Sequence, residues 1–134
     1  MAAFTAAEVE YLTGQRLGRL ATAGADGKPH VVPVGFRFNA DLGTIDIGGH
    51  DFAQRKKFRD VQTNPWAAIV VDDLVSVSPW RPRMIEIRGQ VEVLNSGGSA
   101  LGPGFDEEMI RIHPTRIVSF GLEPDRPASS ERSG

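Results

Sequence analysis

The chain has 134 residues, 40% apolar and 24% charged, with a formal net charge of −2 and no cysteine. That length suits one domain hiding roughly two-thirds of the surface its unfolded chain exposes. The near-neutral charge balance argues against a general nucleic-acid binder, and the missing thiols exclude disulfides, thiolate metal sites and a cysteine nucleophile.

The N-terminal MAAFTAAEVEYL has neither the basic region nor the apolar run of a signal peptide. No stretch approaches the ~18 apolar residues of a membrane span, so the expected location is the cytoplasm. Thr5-Ala6-Ala7-Glu8 has the spacing of a capping box and predicts a short helix to about Gly14, with Val9 and Leu12 on its apolar face. Arg16–Ala23 reads as a strand, Asp26-Gly27 as a hairpin turn and Pro29–Phe38 as the returning strand. In that strand Val32, Val34 and Phe36 share one face, and Pro33 implies an edge, a bulge or a break in pairing. Asn39–Gly43 is a turn and Thr44–Ile47 a third strand.

Gly48-Gly49-His50-Asp51 opens the next helix, with Asp51 as its expected N-cap. Arg55, Lys56, Lys57 and Arg59 follow, and the helix stops at Asn64-Pro65. Cations in the first turns oppose the helix dipole, while backbone N–H groups at that end favour an anion. Two readings are open on spacing alone: a solvated charged face, which is what charge runs usually are, or a phosphate site. Lys56 points about 100° away from each neighbour and is expected to face solvent.

Trp66–Val71 is a continuous apolar run and reads as a buried strand; Asp72–Pro82 reads as a loop containing Trp80. Met84–Leu94 alternates cleanly as a strand. Asn95–Phe105 is rich in Gly, Ser and Pro and is expected to be a mobile loop. Glu108–Ile112 and Arg116–Leu122 form the last strands, separated at His113-Pro114. The expected organisation is one domain over 1–123 and a polar, disordered tail over 124–134. About six closely spaced antiparallel strands and two short helices point to a mainly β protein, a small barrel.

The motifs VVPVGF, RKKFRDVQTNP, WRPRMIEIRG and HPTRIVSFG, in this order over about Phe4–Glu123, resemble the split-barrel flavin-binding superfamily that includes pyridoxamine 5′-phosphate oxidases. They are most similar to its actinobacterial branch of coenzyme F420-dependent enzymes. The resemblance implies a six-stranded antiparallel split β-barrel, a homodimer and cofactor clefts between the subunits. It implies coenzyme F420 or, as the alternative, FMN, with Arg55 and Lys57 on the phosphate. Val32, Pro33 and Val34 would line the ring through their backbone, and Gly49, His50 and Asp51 would form the turn that meets it. The chain has no counterpart of the C-terminal segment with which pyridoxamine-phosphate oxidases grip their substrate, which speaks against vitamin B6 oxidation.

Trp80 reads either as a loop residue packed on the barrel or as a platform at the cleft. Arg81 and Arg83 read either as ligands of an acidic substrate or as surface and interface residues. No His/Asp/Glu set has metal-ligand spacing, so no metal is expected, and Ser119 and Thr22 lack a nucleophile elbow. The leading expectation is an F420-dependent reductase passing a hydride to a small electron-poor substrate, the chemistry residing in the cofactor. The alternatives are an FMN-dependent oxidase or reductase and a non-catalytic flavin- or deazaflavin-binding protein.

Overall fold

The computed structural model describes residues 3–122 and 129–133. In chain order these form α1 (Ala6–Gly14), β1 (Leu17–Ala23), β2 (Pro29–Gly35), β3 (Arg37–Asn39), β4 (Thr44–Gly48), α2 (Lys56–Thr63), β5 (Trp66–Ser76), β6 (Arg81–Leu94), β7 (Met109–Phe120) and β8 (Ser129–Ser133). Short 3-10 turns lie at Phe52–Gln54 and Gly98–Leu101. The strands form one antiparallel sheet ordered β2-β1-β5-β6-β7-β4-β3. β7 carries β4 on Met109–Ile112 and β8 on Arg116–Phe120. The sheet curls until the edge strand β2 approaches β4, giving a split barrel. Among the described residues no helix is long and apolar enough to cross a membrane.

The core is the inward face of this curl. Leu20, Ile45, Ile47, Ile69, Ile85, Ile87, Ile112 and Ile117 are fully buried, joined by Phe52 and Phe58 from the α2 region. α1 starts at the predicted capping box: Thr5 Oγ1 accepts from the Glu8 N–H and the Glu8 carboxylate accepts from the Thr5 N–H. The helix then buries Tyr11 and Leu12.

Four sequence expectations are corrected. Among the described residues the sheet has eight strands, because the segment read as one strand over Pro29–Phe38 is split at Phe36 and β8 adds to β7. β8 lies where a disordered tail was expected; the rest of that tail, and Glu123, fall outside the described residues. Asp72–Pro82 is mostly strand: β5 and β6 pair on through Asp73↔Arg83 and Leu74↔Pro82 with a bulge at Val75, leaving only 77–80 as the turn. The Asp73–Arg83 ion pair at 2.6 Å holds the arms together, a cross-strand contact invisible to a reading of local polarity. Finally, β7 runs unbroken through His113-Pro114. A bulge lets Gly89 sit opposite Pro114, and the Thr115 hydroxyl donates to the Arg88 carbonyl. Gly89 is required there, since a Cβ would lie 1.9 Å from the His113 carbonyl oxygen.

β5 also differs in detail. Only Ala67, Ile69 and Val71 point into the core, while Ala68 and Val70 are half-buried and Trp66 is exposed. The continuous apolar run therefore marks a strand whose second face is partly covered.

Candidate functional site

A cleft of about 450 Å³ opens between the start of β2 and the turn that leads into α2. From β2 it takes His30 and Val32, which alternation puts on one face. From the β4–α2 connection it takes Gly49, His50, Phe52 and Gln54, and beyond these Arg55, Lys56 and Lys57. β2 is an edge strand paired only with β1, the kind of position that tolerates the missing N–H of Pro33. Pro33 is exposed and Val34 is buried beneath the strand, so of the three only Val32 lines the cleft.

Asp51 is not the helix N-cap. It adopts a left-handed conformation, φ 51°, before the 3-10 turn, and its side chain caps nothing. α2 begins at Lys56 with Arg55 as N-cap, again without a side-chain cap bond. The first-turn N–H groups of α2 therefore have no side-chain acceptor of their own chain at the N-cap. The extra turn arises because buried Phe52, packed edge-on against Phe58 at 5.3 Å, anchors the chain before the helix can start.

The four cations separate sharply. Lys56 Nζ donates to Asp60 Oδ1 at 2.9 Å, one helical turn on, and the buried Asp60 also accepts from the Thr22 hydroxyl at 2.9 Å. Lys56 is thus tied to a buried carboxylate while its side chain stays 45% exposed, facing solvent as expected. Lys57 has no carboxylate partner among the described residues; its ammonium sits 5.4 Å from the Phe52 ring centroid. Burial, and then the charge of Arg55, push the Lys57 pKa below the usual lysine range. Arg55 also lacks a carboxylate among the described residues, its Nε donating to the His50 carbonyl at 3.3 Å. Arg59 is exposed and outside the cleft.

His30 and Gln54 are cleft residues that the sequence reading passed over. His30 shares the alternation of Val32 and Val34, which was the available signal. Its Nδ1 is buried without a hydrogen-bond partner. The residue lines the cleft, but this nitrogen is closed off from solvent.

The loop after β6 is ordered over the cleft's rim, where a mobile loop was expected. The Asp106 N–H donates to the Gly49 carbonyl at 2.9 Å, and the Asp106 carboxylate accepts from the Phe52 N–H at 3.2 Å. Phe105 packs edge-on against His50 with ring centroids 5.3 Å apart.

Trp80, Arg81 and Arg83 do not join the cleft within one chain. Trp80 is 68% exposed at the β5–β6 turn. Arg83 is bound to Asp73 through two hydrogen bonds and lies over the Tyr11 ring, 4.9 Å from its centroid. The Tyr11 hydroxyl donates to the same Asp73 at 2.8 Å, so Arg83 fastens α1 to the β5–β6 hairpin. Among the described residues no group of His, Asp or Glu is placed to hold a metal.

The sequence matches the pyridoxamine 5′-phosphate oxidase family over residues 4–118. The chain belongs to this family. It is 47% identical over 122 residues to a 5a,11a-dehydrotetracycline/5a,11a-dehydrooxytetracycline reductase of Streptomyces rimosus, covering 91% of this chain and 86% of that one. Among solved structures it resembles an F420 reductase, with TM-score 0.63 and 24% identity over 81% of this chain and 93% of the other. It also resembles a heme-binding protein from Mycobacterium smegmatis, with TM-score 0.68 and 15% identity. That match covers 98% of this chain but only 60% of the longer protein. At such identities these two likenesses establish the fold alone, and folds do not choose ligands. The family and the reductase relative place the chain among oxidoreductases.

Proposed function

We propose that the protein is a coenzyme F420-dependent reductase whose cofactor phosphate is held by Lys57 and Arg55. The observation that carries the reading is the pair of cations in the cleft that lack carboxylate partners among the described residues, beside helix N–H groups without a side-chain cap. Such groups suit a phosphate, since the charge-assisted bonds they lack are the ones it provides. Val32 and the Gly49-His50 turn would meet the ring.

When bound, a reduced deazaflavin supplies a hydride. The chain's own residues bind and orient it: Lys57 and Arg55 fix the anionic end, and the edge strand β2 offers backbone to the ring. Phe52 gives Lys57 an apolar seat that limits its solvation.

The cleft is open on one side, and we propose that a second copy closes it. Large apolar side chains are exposed on the β5–β6 hairpin (Leu74, Val75, Val77, Trp80) and beside β2 (Leu17, Val31). In a homodimer with cofactor clefts between subunits, Trp80 of one hairpin would face the partner. The catalytic domain is read as 1–123.

Titration with coenzyme F420 and with FMN tests the reading. Expected are saturable binding of F420 tighter than that of FMN, and return of the oxidised deazaflavin's absorbance on adding an electron-poor enone to the reduced complex. Tighter FMN binding would transfer the assignment to a flavin enzyme, and binding without turnover on an enone and quinone panel would indicate a carrier. If neither cofactor binds, the proposal fails.

A further inference from the structure

A second cavity, of about 280 Å³, adjoins the cofactor cleft and is walled by Phe36, Leu101 and Phe105. The two spaces meet along the chain, Gly48 lining one and Gly49 the other. They also share the Phe105–His50 ring contact at 5.3 Å, Phe105 belonging to the second cavity and His50 to the first. Gly48 is held bare by this wall: a Cβ there would lie 3.0 Å from Leu101 Cδ1 and 3.4 Å from Phe105 Cδ2. The loop side chains therefore lie close against the strand backbone. Two aromatic rings and a leucine around a backbone floor make a space suited to a flat ring.

The charge around this cavity is one-sided. Asp46 lines it but is fully buried. Its carboxylate accepts four bonds: from Arg111 Nε (2.9 Å) and Nη2 (3.2 Å), Thr44 Oγ1 (3.1 Å) and Asn39 Nδ2 (3.0 Å). Those bonds use all the lone-pair positions a carboxylate ordinarily offers. Arg16, exposed at the rim, has no carboxylate partner among the described residues. The cavity's volume is about twice the ~150 Å³ of an apolar cavity that takes a single benzene.

We infer that this cavity is the acceptor subsite and that it takes a planar, two-ring conjugated molecule bearing an anionic oxygen, an enolate, phenolate or carboxylate. The ring lies against Phe36, Leu101 and Phe105 and the oxygen is met by Arg16. The inference rests on the reading of the neighbouring cleft as the cofactor site. It also gives the ordered 97–105 loop a role: through Leu101 and Phe105 it sets which acceptors fit beside the cofactor.

The probe is 2-naphthoate, with 2-naphthamide as its neutral counterpart. Calorimetric titration of the full chain reads binding apart from turnover. Naphthoate is expected to bind at least fivefold tighter than the amide. Arg16→Gln should abolish that preference while leaving amide affinity unchanged. Leu101→Trp, which fills the cavity, should weaken both ligands at least tenfold, and neither substitution should change the affinity for coenzyme F420 or FMN. Thermal melts report folding of the Leu101 variant, and Arg16, being exposed, tests the charge independently. The inference is overturned if naphthoate does not saturate, if Arg16→Gln retains the preference, or if a folded Leu101→Trp protein binds both ligands as before. It is also overturned if that variant loses the cofactor, since the cavity would then belong to the cofactor site. Should the naphthyl ligands behave as expected while neither cofactor binds, the anionic-ring site stands and the function proposed above falls.

Discussion

Lys56 and Lys57 are adjacent in sequence, yet the structure predicts opposite consequences for replacing each with methionine. Lys57 has a ring beneath it and a like charge beside it, and no carboxylate among the described residues. Its pKa is lower in the folded chain than in the unfolded one. Between those two values the unfolded chain holds more protons, so stability rises with pH across that window. Below that window, where both states are charged, the lysine's charge therefore lowers the stability of the ligand-free protein. Lys57→Met should leave that stability unchanged or slightly raised, as at other sites where function holds stability down. It should also remove a charge-assisted bond to the phosphate, worth about 1.5–3 kcal/mol, which weakens cofactor binding roughly ten- to hundredfold. Lys56 instead neutralises Asp60, whose carboxylate is 5% exposed. Because the Lys56 side chain is itself 45% exposed, water offsets part of the loss, and Lys56→Met should destabilise by about 1–2 kcal/mol. Its effect on cofactor affinity should stay within about threefold, below the ~1.4 kcal/mol that a tenfold change represents. Urea unfolding and cofactor titration on the two variants give the four numbers. Equal loss of cofactor affinity in both, or a larger loss in the Lys56 variant, would refute the division of roles within the helix.

Three further outcomes follow from the same contacts. At Asp46, burial pushes the carboxyl pKa up, but the bonds from Arg111 and Asn39 outweigh it and the net direction is down. Its stabilisation is therefore complete above the ordinary aspartate range near ~3.9 and is lost as pH falls through the lower folded value. Asp46→Asn should destabilise by about 3 kcal/mol at pH 7, by leaving the Arg111 guanidinium largely buried without its carboxylate, and should flatten the loss of melting temperature below pH ~4. Gly89→Ala should cost more than about 2 kcal/mol in urea unfolding, because the new Cβ meets strand backbone that cannot step aside. Thr5→Ala should cost about 1 kcal/mol through the lost capping box, measurable by the same method, with cofactor affinity unchanged.

Much of the fold was legible because its signals are local. The alternation in Met84–Leu94 is that of a strand with Ile85, Ile87, Gly89 and Val91 buried and Val93 half-buried on the same face. Thr5 and Glu8 form the box their spacing promised, and Asp26-Gly27 turns β1 into β2. What failed depends on partners distant in sequence. Asp73 and Arg83 look like loop charges until they face each other across a hairpin. His113-Pro114 looks like a break until Gly89 opposite accommodates a bulge. The Gly-rich 95–105 segment looks mobile until Asp106 fastens it to Gly49 and Phe52.

The candidate site divides in the same way. The sequence by itself determined a mainly β domain, a basic run at a helix start and a strand at VVPVGF, because periodicity and helix boundaries are written in neighbouring residues. Only the tertiary structure decided which cation is available. Lys56 is bound to Asp60 and Lys57 rests on Phe52, a distinction set by side-chain direction and burial. The fold also brought His30 into the cleft, took Arg83 away to Tyr11 and Asp73, and placed Phe105 between two cavities. Those placements follow from the curl of the sheet, which joins β2 to the β4–α2 turn across a gap that no local pattern spans.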